Sequence, residues 1–304
     1  MKNFIIKLLF FIVPILLVLV IARYYIIYLK QDSQRYRLSS SIENLIVGHS
    51  QPECALNDSL ILKSKNMSQG GESYLYTYVK LQKILNVNPS IKNVYLSFSN
   101  NQVSSLMDEW TFGERSLKAK YVSYYFAMDA QEKELLFKNN WQAVVQSEFT
   151  IIRNNSVDLL KYKGKLNPKI YWGEYLYLKR DKTDSLLKSN YIENLKKNRK
   201  SKISDINIHY LKKIVALCKL KKVHIFLFRT PIHNALKSTL EELKFQSIRK
   251  QYFGKIKYID AIDFPISNEE FGDLEHLNYR GAKKFSIFFN TIVQKNSHII
   301  KKNY

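Results

Sequence analysis

Acidic residues are scarce. Only 26 Asp and Glu stand against 48 Lys and Arg in 304 residues, leaving a formal net charge of +22. Such a field attracts anions, whether nucleic acid, anionic lipid headgroups or acidic polysaccharide, without choosing among them. The signatures that would choose nucleic acid are missing: no RNP motif, no zinc-finger spacing, no basic zipper. The lysines are dispersed, as in "NLKKNRKSK" (194–202) and "ALCKLKK" (216–222), so no nucleic-acid partner is expected. Cysteine is nearly absent. Cys54 and Cys218 build no disulfide framework and are not spaced as a metal pair. Internal repeats are lacking too. What remains is ordinary for a globular chain, with 46% hydrophobic and 24% charged residues. The length suffices for one large core, or a core with an insertion.

The N-terminus lacks charge in a different way. Leu8 to Ala22, "LLFFIVPILLVLVIA", holds no ionisable side chain, and the apolar character resumes after Arg23 in "YYIIYL". At about 1.5 Å per residue the uncharged run covers roughly 22 Å, short of the roughly 30 Å hydrocarbon core. With Phe4 to Ile6 and Tyr24 to Leu29 included, and Lys7 and Arg23 snorkelling, it reaches across. No small-x-small cleavage site follows, so an uncleaved single-pass anchor over 1–30 is expected rather than a signal peptide. Lys2 and Lys7 precede the span while Arg23, Lys30, Arg35 and Arg37 follow it. The positive-inside rule alone would keep the body cytoplasmic, but long domains translocate largely regardless of such charges.

A polar linker, 31–41, leads into a body over 42–298. Here apolar strands alternate with helical patterns. Strands are expected at "NLIVG" (44–48), within 64–71, at "NVYLSFS" (93–99), "VHIFLF" (223–228) and "IKYID" (256–260). Helices are expected at 72–86, 205–222, 238–250 and 279–295. This order predicts an α/β protein of three layers, with a parallel sheet covered on both faces. Between about 101 and 203 the alternation fails. That stretch reads as a largely helical insertion capping the working edge of the sheet.

In such a sheet, functional groups sit at the carboxyl ends of strands. Ser50 lies there, two residues after the first strand. It is not in a Gly-x-Ser-x-Gly elbow, because Pro52 replaces the second glycine. A serine nucleophile needs a base. Of six histidines, His209 and His224 fall inside a helix and a strand, and His298 in the tail. His233 follows a strand end and is a minor candidate. His49 adjoins Ser50, but neighbours at a strand end tend to point apart. His276 sits just before the last helix with Asp273 three residues earlier, so one turn puts both on the same side. A carboxylate there can hold one imidazole nitrogen and leave the other facing a serine, the base-plus-orienter half of a triad.

Gly48-His49-Ser50 after a strand, with Asp273-Leu274-Glu275-His276 near the C-terminus, resembles the SGNH/GDSL hydrolase superfamily. "HLNYRGAKKFS" is similar to the helix start of its membrane-anchored members, such as the D-alanyl transfer protein of teichoic-acid modification and alginate O-acetyltransferases. The resemblance implies a flavodoxin-like SGNH fold and a catalytic triad of Ser50, Asp273 and His276. It implies oxyanion or substrate contacts from a second-block glycine, Gly70 or Gly71, and from a third-block asparagine, Asn100 or Asn101. His49 stands where the family has Asp, and the third block lacks its Gly-x-Asn-Asp form. No metal and no cofactor is required. The implied function is a serine esterase or O-acyltransferase acting on acyl groups of an envelope polysaccharide or a similar glycan. A membrane-bound acyl-donor protein is the partner a transferase would use. An anchor on a basic body suits an envelope polymer, which places the catalytic domain outside the cytoplasm, in the periplasm. The rival expectation is an inactive module of the same fold that binds or positions envelope polysaccharide.

Overall fold

The structure, a computed structural model, describes residues 2–30, 36–162, 172–198 and 202–302. They fall into two compact units, 38–113 with 172–304, and 1–37 with 114–171. The expected linker over 31–41 and the basic run at 196–202 lie partly outside the described residues.

The first unit carries a five-stranded, wholly parallel sheet. Its strands are β1 (Asn44–Val47), β2 (Ser64–Asn66), β3 (Asn93–Ser97), β4 (His224–Arg229) and β5 (Tyr258–Asp260), in the spatial order β2-β1-β3-β4-β5. The alternation of apolar strands and helical segments is what produces this, since parallel neighbours need crossovers. Register pairs Ile46 with Tyr95 and Tyr95 with Phe226, so these three share one face. There they meet Phe285 and Phe289 of the helix Tyr279–Lys302. Tyr95 and Phe226 stack with centroids 4.9 Å apart. Leu45, Val94 and Leu96 alternate onto the opposite face and are fully buried. On that side Phe98 packs against Phe245 of the helix Glu242–Phe253. The helices Tyr74–Val87 and Asp205–Leu220 pack on each other. Each fully buried Phe or Leu contributes about 1.5–3 kcal/mol.

Most boundaries shift by a residue or two; two helix ends shift further. The helix expected from 238 begins at Glu242. Thr239 Oγ1 donates to Leu236 O (2.7 Å) and Ser238 Oγ to Ala235 O (3.3 Å), closing off the short helix Asn234–Lys237 first. The last helix starts as expected at Tyr279, where Asn278 Oδ1 accepts from the N–H groups of Arg280 and Gly281, but it runs on to Lys302.

The stretch read as one insertion is divided. Residues 114–171 belong to the second unit, whereas 101–113 and the described part of 172–203 belong with the sheet. The second unit is helical: Lys2–Lys30, Glu114–Tyr124, Ala130–Asn139 and Trp141–Lys161. Leu117, Tyr121, Ala143 and Ile151 are buried in it, and Tyr121 Oη donates to Glu148 (2.9 Å). Among the described residues no helix is long and apolar enough to cross a membrane. The expected anchor over 1–30 falls partly on side chains outside the described set.

Candidate active site

The order β2-β1-β3-β4-β5 reverses direction between β1 and β3, and ligands in open parallel sheets collect at the carboxyl ends flanking such a point. Beyond β1 the chain passes Gly48 and His49 and enters the helix Ser50–Ala55. Gly48 is needed there for space. A Cβ would lie 2.5 Å from Ser97 Cβ on the neighbouring strand and 2.8 Å from Pro52 Cγ. That closeness delivers Ser50 to the helix start with its side chain at the sheet edge.

Across the sheet edge the loop 271–277 brings up a carboxylate and an imidazole. Asp273 Oδ1 accepts from the backbone N–H groups of Glu275 (2.7 Å) and His276 (2.8 Å), and Gly272 N–H donates to His276 O (2.9 Å). Leu274 is fully buried against Ile232 and Leu236, which pins the turn from below. His276 Nδ1 lies 2.9 Å and 2.8 Å from the two Asp273 oxygens. A carboxylate can only accept, so Nδ1 carries the proton and Nε2 is left as an acceptor. Nε2 lies 2.8 Å from Ser50 Oγ. The three residues singled out from sequence therefore form one continuous hydrogen-bonded line. Through it an imidazole can take a hydroxyl proton while its charge is held by a carboxylate.

The electrostatics match. Burial works to raise the Asp273 pKa, but the hydrogen bond and charge of His276 and two backbone N–H groups outweigh it and leave the carboxyl below its ordinary 3.8. Burial likewise works to lower His276, and Asp273 outweighs it, so the imidazole sits above its ordinary 6.5.

His49 was expected to point away from Ser50. It lines the same cleft but is bonded elsewhere. Its Nδ1 accepts from Gln51 N–H (3.1 Å), capping the Ser50–Ala55 helix, and its Nε2 therefore donates to Ser99 Oγ (3.1 Å). Burial, with the nearby His276, pushes His49 down to about 3. The ring is thus a neutral strut joining the ends of β1 and β3.

Gly70 and Gly71 both line the cleft with Ser50. Gly70 is the nearer, since a Cβ built on it would lie 3.9 Å from Ser50 Cβ. Gly71 has φ +63°, and a Cβ there would collide with the Trp110 ring at 2.3 Å, so both its backbone and its surroundings require glycine. The loop holding them is braced by a pair that sequence reasoning missed. Lys80 and Glu72 are both fully buried, with Nζ 2.6 Å from Glu72 Oε2 and 2.5 Å from Met67 O. Thr77 Oγ1 donates to the other Glu72 oxygen (2.7 Å).

The two asparagines part company. Asn101 lines the cleft of Ser50. The amide of Asn100 is taken into an ion network, where Oδ1 accepts from Arg229 Nη1 (2.9 Å) and Nδ2 donates to Glu242 (3.3 Å). Arg229 is buried and also bonds Asp260. His233, the minor candidate, caps the helix Asn234–Lys237 and bonds Asn268 (2.8 Å).

Among the described residues no group of His, Cys, Asp and Glu is arranged to hold a metal ion. A model of a family of uncharacterised proteins matches residues 118–298, a span that includes Asp273 and His276 and begins after Ser50. No curated protein matches the chain.

Proposed function

The chain belongs to this family of uncharacterised proteins, and we propose that it is a serine esterase or O-acyltransferase of the SGNH type, acting on acyl groups of an envelope polysaccharide or similar glycan. The observation that carries the reading is the line Asp273–His276–Ser50, with 2.8 Å between His276 Nε2 and Ser50 Oγ.

In this reading His276 takes the Ser50 proton as Oγ forms a bond to the acyl carbon. Asp273 holds the tautomer and stabilises the imidazolium. The oxyanion is met by backbone N–H groups, that of Ser50, which as a first-turn donor has no acceptor within its own helix, and that of Gly70 or Gly71. Asn101 is placed to contact substrate. The intermediate collapses, the ester C–O bond breaks, and the leaving oxygen takes the proton from His276. Water or a sugar hydroxyl then gives its proton to His276, attacks the acyl-serine, and releases Ser50 with its proton restored. Water makes the protein an esterase. A sugar hydroxyl makes it a transferase, for which a membrane-bound acyl-donor protein would load Ser50.

The uncharged run Leu8 to Ala22 supports a membrane anchor, and the basic body suits an envelope polymer, so the catalytic unit is assigned to the extracytoplasmic side. The deciding experiment is covalent labelling by a serine-directed fluorophosphonate. Wild type is labelled and Ser50→Ala and His276→Ala are not, since serine is a weak nucleophile without its base. Unlabelled wild type that still retains polysaccharide would replace the enzyme with an inactive binding module.

A further inference from the structure

The cleft beside Ser50 has a volume of about 570 Å³, within the range of roughly 300–1,000 Å³ typical of small-molecule sites. One wall is polar, formed by His49, Ser50, Asn101, Glu275 and His276 with the backbone of Gly70 and Gly71. The other is apolar, with Leu106, Met107 and Trp110 from the helix Leu106–Phe112, faced by Leu195 from the helix Tyr191–Asn198. Leu106 and Trp110 are spaced i, i+4, so they share one side of their helix, and both are about half exposed.

That exposure is not the slack of a loosely held helix. The other side is fastened: Ser204 Oγ donates to Asp108 Oδ1 (2.5 Å), Asn207 Nδ2 reaches the same oxygen (3.4 Å), and Tyr76 Oη donates to the carbonyl of the fully buried Thr111 (3.1 Å). Trp110 is seated directly over Gly71. Leu195 is held by the apolar cluster around Ile232, Leu236 and Leu274, the last directly after Asp273 in the chain. Two large apolar side chains are therefore kept in water on a rigid wall that opens onto the Ser50 hydroxyl.

An acetyl group would leave most of this wall wet. We propose that the apolar wall is an acyl-binding site, and that the group carried on Ser50 is an alkyl acyl chain of several carbons rather than acetyl. The inference rests on the serine-nucleophile reading and names the acyl half of its substrate. Burial of apolar surface on a preformed wall supplies the selectivity, about fourfold for each methylene that enters.

The test uses the full-length protein in detergent and reads the second-order rate at which alkyl fluorophosphonates of one to eight carbons modify Ser50. In that reaction Ser50 Oγ bonds to phosphorus, fluoride leaves and the proton passes to His276, so hydrolases and transferases report alike. The rate is expected to climb about fourfold per carbon over the first four to six carbons. Trp110→Ala should flatten the series, so that the ratio of the eight-carbon to the one-carbon rate collapses toward one. Leu106→Ser, at a half-exposed position, should lower the rates progressively more as the chain lengthens. A flat or falling series in a labelled wild type overturns the acyl site and leaves the serine reading standing. Protection of Ser50 by an unacylated glycan, lost in Trp110→Ala while the alkyl series stays flat, would give the wall to a sugar ring instead. No labelling at any chain length overturns the serine reading and the acyl site with it.

Discussion

At the scale of single residues, the behaviour of the site with pH follows from one hydrogen-bonded pair. His276 works as a base only when neutral, and its pKa lies above 6.5. Ester turnover should therefore fall as pH drops through that raised value, and a pH profile of kcat/KM checks it. In Asp273→Asn the inflection should move to lower pH and the maximum rate should fall about 10⁴-fold, as in triads whose tautomer is lost. The same pair contributes stability with opposite signs at its two ends. His276, raised on folding, contributes below pH 6.5 and loses its contribution as pH rises through the folded value. Asp273, depressed on folding, contributes above pH 3.8 and loses it as pH falls through its folded value. Of these residues, Asp273 and His276 were legible because a three-residue spacing needs only one turn to align them. The choice between Asn100 and Asn101 was not legible. Adjacent positions point in different directions, and Arg229, 129 residues later, decides which one is taken. The strut role of His49 was not legible because its partners, Ser99 and the Gln51 N–H, arise only once β1 and β3 lie side by side.

At the scale of elements, the Gly70–Gly71 loop depends on a buried charge pair. Glu72→Gln or Lys80→Met should each cost about 3–5 kcal/mol, because each strands the other partner in a fully buried position. Chemical denaturation of the single variants would show it, and the double change to well-packed apolar residues should recover much of the loss. Gly71→Ala combines strain at φ +63° with a clash on Trp110, so it should destabilise by more than about 1 kcal/mol and disturb the cleft together. On the far face of the sheet, Phe289→Ala should cost about 3–5 kcal/mol without touching the triad. The strands were readable because a strand covered on both faces leaves an uninterrupted apolar run, as in Leu45-Ile46-Val47. The cleft wall was hidden. Leu106, Trp110 and Leu195 lie in segments without a sustained period, and their meaning comes from which side of each short helix faces Ser50.

At the scale of the whole molecule, the proposal of an anchored, extracytoplasmic enzyme makes a topological prediction. A reporter fused after Tyr304 should be active outside the cytoplasm, and the mature chain should retain its first 25 or so residues. A reporter active only inside would reverse the orientation. The parallel α/β architecture was visible in the order of segments, whereas the division of 101–203 between two units was not, since every helix there has the same mixed composition. Finally, the hydrogen bond between His276 and Ser50 joins positions 226 residues apart in the chain. At about 5–20 residues per second, Ser50 is incorporated roughly 11–45 s before its base is even synthesised. On the proposed reading, the hydroxyl has no base to sharpen it throughout that interval. On the proposed serine-enzyme reading, competence arrives only once His276 is in place beside Ser50, so a chain cut short before residue 276 should be inert, and the appearance of labelling during synthesis would time the completion of the site.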